Sequence, residues 1–277
     1  MSNKYKWYAA WIAGLLGISV AAVAQTTAPL APPLLPLTAL HTERVQYALV
    51  DGQAVYGYLS QPADAKGPQA GIILIHMWWG LNQQMRNVAD QLARRGYTVL
   101  AVDLFNGQVT RDRSVAARLA DIANARSGAV LSNLEQAVTY MNTHQQVDRL
   151  GVIGWSIGGQ YALRIASELP QAFNALVIFY ATPDTEPSQL VPLRMPMLAF
   201  FGGRDPFVPP SVVEKFQWAA GLASAQLDIH IYPDAQPGFD DPASTAYNAA
   251  EAQDAWKHLT TFLAEQLQPA PVRTASG

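Results

Sequence analysis

The stretch Gly154-Trp155-Ser156-Ile157-Gly158-Gly159 decides how this chain is read. An apolar run, 150–153, precedes it, and a helical pattern, 160–168, follows. Strand, Gly-x-Ser-x-Gly-Gly, helix is the sequence form of a nucleophile elbow. So tight a bend needs minimal side chains around the serine. It holds the hydroxyl exposed at the carboxyl end of a strand, beside the N-terminus of a helix. The competing reading is a glycine-rich turn without chemistry.

Working outward, two strands at 43–50 and 54–60 are joined at Asp51-Gly52, a hairpin signal. Apolar runs at 71–75, 97–102, 175–179 and 197–201 read as further strands, and 227–232 as the last strand. Amphipathic helices are expected at 82–95, 111–125, 129–142, 210–221 and 243–266. Continuous apolar strands alternating with such helices imply an α/β domain. Its central sheet is mostly parallel, with helices on both faces.

The chain has 277 residues, 50% of them hydrophobic, enough for one large domain with a real core. A net charge of −3 with only 18 lysines and arginines gives no nucleic-acid signature. The absence of cysteine excludes disulfides, thiolate metal sites and a cysteine nucleophile. Lys4 and Lys6 precede an apolar stretch ending Ala22-Val23-Ala24, so residues 1–24 read as a signal peptide. An uncleaved membrane anchor is the rival reading. Cleavage would make this a bacterial periplasmic or secreted protein. Residues 25–41 read as a proline-rich linker, 42–268 as the domain and 269–277 as a disordered tail.

Serine-based acyl transfer needs a nucleophile, a base, a carboxylate to orient the base, and donors for the oxyanion. Ser156 is the candidate nucleophile. Asp205, in Gly203-Arg204-Asp205-Pro206 after the strand 197–201, is the candidate acid; the alternative is an ordinary turn aspartate. Backbone N–H groups of Ile157 and of Trp78, in His76-Met77-Trp78-Trp79-Gly80-Leu81-Asn82, are the candidate oxyanion donors. Met77, Trp79, Trp155 and Phe239 are expected to line the substrate pocket. The base belongs in the loop after the last strand, Tyr232-Pro233-Asp234-Ala235-Gln236-Pro237-Gly238-Phe239-Asp240, which contains no histidine. Of the five histidines, His230 and His76 are weak substitutes, one inside a strand and one beneath the oxyanion loop. His41, His144 and His258 are assigned to the linker, a helix end and a solvated helix face. No pair has metal-ligand spacing, so neither metal nor cofactor is expected.

These motifs together resemble the dienelactone hydrolase family of α/β-hydrolases. The resemblance implies the α/β-hydrolase fold and hydrolysis of small-molecule esters or lactones by a Cys or Ser nucleophile with His and Asp. It places the family's catalytic histidine at position 237, here proline, and a nucleophile-contacting glutamate at 77, here methionine. Two substrate-holding arginines fall at Gly107 and Asp241. Their loss argues against an anionic dienelactone and for an apolar or flat acyl group. Two readings stay open: a serine hydrolase of esters or lactones, or an impaired pseudoenzyme binding a small apolar ligand in the former active site.

Overall fold

The computed structural model describes residues 39–65, 67 and 69–267. The segment read as a signal peptide, most of that read as a proline-rich linker and that read as a tail lie outside the described residues.

Strands β1 (Leu40–Val50) and β2 (Gln53–Pro62) form an antiparallel hairpin. Asp51 and Gly52 turn it, both at positive φ (51° and 76°), as a tight two-residue turn requires. The sheet continues with β3 (Gly71–Ile75), β4 (Thr98–Val102), β5 (Leu150–Trp155), β6 (Ala175–Phe179), β7 (Met197–Gly202) and β8 (Leu227–Tyr232). The eight strands lie in the order β1-β2-β4-β3-β5-β6-β7-β8. Every pair from β4 to β8 is parallel.

The apolar runs read from the sequence are the strands buried on both faces. Ile73 and Ile75 pack with α3 (Ser127–Thr143), α4 (Ile157–Glu168) and the neighbouring α2 (Arg113–Ala125) and α6 (Pro210–Leu222). Ile72 and Leu74 face the other way, toward α1 (Gln83–Ala93) and α7 (Ala249–Leu267). Each such fully buried aliphatic side chain contributes about 1.5–3 kcal/mol. β8 closes the sheet as an edge strand and is correspondingly half-exposed.

Three local differences from the sequence reading have physical causes. β1 starts at Leu40, so His41, assigned to the linker, pairs with Gln61 in the sheet. α7 starts at Ala249 rather than 243 because the preceding turns are pinned. There the Asp241 carboxylate accepts from the Ala243 N–H at 2.9 Å, and the Asn248 N–H donates to the Phe239 carbonyl at 2.9 Å. A short helix, α5 (Pro187–Leu190), forms where none was expected, started by proline at its first position.

Candidate active site

The elbow is built by steric necessity. Ser156 stands between β5 and α4 at φ 52°, ψ −119°, a conformation that costs a non-glycine residue on the order of 1–3 kcal/mol. Its N–H is held by the Phe179 carbonyl at 2.9 Å. A Cβ on Gly154 would lie 2.2 Å from the Gly158 carbonyl oxygen, and one on Gly158 would lie 2.4 Å from the carbonyl oxygens of Ile75 and His76. The bend is therefore closed by main chain on both sides, and the motif's glycines are what let it close.

Ser156 opens into a cavity of about 430 Å³ whose wall also holds Met77, Trp78, Trp79, Ile157, Asp205 and Pro237. Seven of the nine positions singled out for the site line this cavity. Trp155 and Phe239 do not. Trp155 is 1% exposed, stacks on Phe179 at 4.9 Å, and donates from its indole Nε1–H to Asp240 at 2.7 Å. Phe239 is fully buried against Tyr232 and Tyr180. Both belong to the core on the α1 and α7 side of the sheet, Trp155 because the last residue of β5 points to that side and Phe239 because the loop after β8 folds over it.

Ile157 is the first residue of α4, so its N–H has no carbonyl one turn back in the helix. The Trp78 loop is fixed from below by His76. The His76 Nδ1–H donates to the Met77 carbonyl at 2.7 Å, while Nε2 accepts from the Leu104 N–H at 3.0 Å. Both ring nitrogens are thus engaged by main chain and the ring is fully buried, which makes His76 a scaffold for the loop.

Asp205 combines the two roles weighed for it. One oxygen makes the turn, accepting from the N–H groups of Phe207 (2.7 Å) and Val208 (3.0 Å). The other, Oδ2, is buried and has no hydrogen-bond partner. Burial pushes this carboxyl above the usual aspartate range despite those two donors. Its loop is tied to the one bearing Pro237: the Gly203 N–H donates to Tyr232 O (2.7 Å) and the Arg204 N–H to Ala235 O (2.9 Å). Arg204 also pairs with Asp234. Position 237 is therefore fixed beside the acid, and the residue there is a proline.

None of the five histidines lines this cavity. His230, on the edge strand β8, lies 3.9 Å (ring centroids) from His258 of α7 and 3.3 Å from the Asp228 carboxylate. His144 stacks on Tyr140. Among the described residues no three His, Asp or Glu side chains converge to hold a metal ion.

Two residues at the site escaped sequence reading. Tyr180, just past β6 at φ 38°, lines the cavity and donates its hydroxyl to Asp240 at 2.9 Å. Burial, then the Asp240 carboxylate, raise its phenol well above the usual range. Asp240 receives both Tyr180 and Trp155, yet burial outweighs these donors and lifts it to about 6. The only sequence signal was the consecutive acids Asp240-Asp241 in a loop of prolines and aromatics.

A mostly parallel sheet with a strained serine turned up at the end of its central strand, opposite a carboxylate loop two strands on, defines an α/β-hydrolase. The model of the dienelactone hydrolase family matches residues 55–267, and the chain belongs to that family of hydrolases. The chain is similar to a Methylorubrum extorquens protein named "Putative carboxymethylenebutenolidase", with 28% identity over 229 residues covering 78% of each chain. Among solved structures, it resembles a dienelactone hydrolase-like promiscuous phosphotriesterase from metagenomic libraries (TM-score 0.76, 19% identity, 83% of this chain and 99% of that one). It also resembles a dienelactone hydrolase from Anabaena variabilis (TM-score 0.63, 21% identity, 83% and 99%). These structural likenesses speak to the fold.

Proposed function

We propose that Ser156 is the nucleophile of a site for small carboxylic esters or lactones, and that Pro237 leaves it without its base. The observation that carries this reading is the elbow itself: a serine held at φ 52° opens into the same cavity as Asp205, Trp78 and Ile157. In this reading the Ser156 Oγ attacks the carbonyl carbon, and the N–H groups of Ile157 and Trp78 receive the developing oxyanion. Asp205 would orient an imidazole at 237, and none is present to take the Oγ proton. Acceleration is then limited to what oxyanion stabilisation and binding supply, on the order of 10³–10⁴ over water.

Labelling by a fluorophosphonate probe, together with hydrolysis of a short-chain 4-nitrophenyl ester, tests the proposal. Labelling and turnover that both vanish in Ser156→Ala support it; equal turnover in the two proteins removes it. A second reading is favoured by one specific observation, the pairing of apolar Met77 and Pro237 with the unpartnered Asp205 Oδ2. Under it the cavity binds a small apolar ligand without turnover, and Ser156→Ala leaves that binding intact.

A further inference from the structure

A second groove of about 770 Å³ adjoins the serine cavity. The two share Trp79, Arg113, Asp241, Ser244 and Thr245 in their walls. The charged residues of the groove are three arginines, Arg86, Arg111 and Arg113, against one carboxylate, Asp241. That balance runs against a chain whose net charge is −3.

Among the described residues none of the three arginines forms an ion pair. The Nε of Arg86 is buried without any hydrogen-bond partner. Asp241 does not neutralise the set, because its buried carboxylate is turned onto the Ala243 N–H. The beginnings of α1 and α2 both border the groove through Gln83, Gln84 and Arg113; α1 has no acid in its first turn, whereas the Asp112 carboxylate caps α2 by accepting from the Ser114 and Val115 N–H groups. One positive helix end, that of α1, and three guanidiniums favour negative charge here.

We infer that this groove is an anion subsite: the substrate is an ester carrying a remote anionic group, held by Arg86, Arg111 and Arg113 while the ester carbonyl lies at Ser156. The inference rests on the reading of Ser156 as nucleophile. It revises the expectation of an uncharged substrate. The positions matched to the family's substrate-holding arginines are Gly107 and Asp241, but the positive charge here comes from different positions, in the adjoining compartment.

Two esters of equal chain length test it: mono-4-nitrophenyl adipate, which is anionic, and 4-nitrophenyl hexanoate, which is neutral. The wild type should prefer the anionic ester by about tenfold in kcat/KM, chiefly through KM, from one or two charge-assisted hydrogen bonds. In the Arg111→Ala/Arg113→Ala variant, both changes at exposed positions, that ratio should fall to about one, and salt should shrink it in the wild type. No preference in the wild type, or a preference that survives the double substitution, overturns the subsite. Calorimetry of adipate with the Ser156→Ala protein reads the groove apart from turnover. Binding that is lost with both arginines sustains the subsite even if neither ester is hydrolysed. Absence of binding overturns it whatever the esterase assay gives.

Discussion

The cavity has two walls, and they are complete to different degrees. On the serine wall, the start of α4 lies so close to β5 and to the end of β3 that only hydrogen fits at Gly154 and Gly158, and the chain bends with Ser156 on its crest. On the facing wall, the loops bearing Asp205 and Pro237 are bonded to each other as firmly, yet the acid's Oδ2 meets no donor. The first wall is a property of a helix start pressed onto two strands; the second depends on one side chain of a half-exposed loop. A change in the second leaves the fold untouched, whereas a change in the first strikes the sheet. That asymmetry explains how position 237 can carry proline beneath an intact elbow.

The sharpest way to exploit the contrast is Pro237→His. An imidazole there should accept the Ser156 proton and donate to Asp205 Oδ2, raising ester hydrolysis by about 10²–10⁴; an unchanged rate would mean the facing wall has diverged at more than this residue. Gly158→Ala attacks the other wall. It should cost about 3 kcal/mol in urea unfolding, because the new Cβ meets backbone at 2.4 Å. Pro237→Ala in the same assay should shift stability by less than about 1 kcal/mol, and equal losses would erase the distinction.

Asp205→Asn separates position from chemistry. Within Pro237→His it should remove the regained rate by about a hundredfold, and in the wild type it should alter the rate by less than about threefold. The smallest expected effect lies behind both walls. Asp240 is raised from 3.8 to about 6 by burial, so its contribution to stability is full below 3.8 and is lost as pH rises through about 6. Across that interval the wild type should lose on the order of 2 kcal/mol that Asp240→Asn does not lose, read as the difference between their denaturation midpoints. Parallel pH profiles would show that Asp240 carries no such cost.

Much of this was readable before any coordinates. The strands were visible because the parallel core strands are buried on both faces, so each is an unbroken apolar run. The elbow was visible because its glycines are demanded locally, within six residues. The Trp155 and Phe239 assignments failed for the opposite reason. Which face of the sheet receives a side chain at the end of β5 is set by pleat and neighbouring strands, and aromatic character alone does not report it. Tyr180 and Asp240 are 60 residues apart, so their bond left no trace in spacing. The arginine groove was equally hidden, since Arg86 and Arg111 come from different helix starts that meet only in space.

The main-chain bonds from Gly203 to Tyr232 and from Arg204 to Ala235 hold whatever residue occupies position 237. Selection for folding alone therefore preserves the frame around position 237, whatever stands there. Two of the four proline codons differ from a histidine codon by one nucleotide, so histidine at 237 can be a single exchange away. A frame held by main chain is evolutionarily permissive, and a screen of random variants for esterase gain should return changes at that one residue.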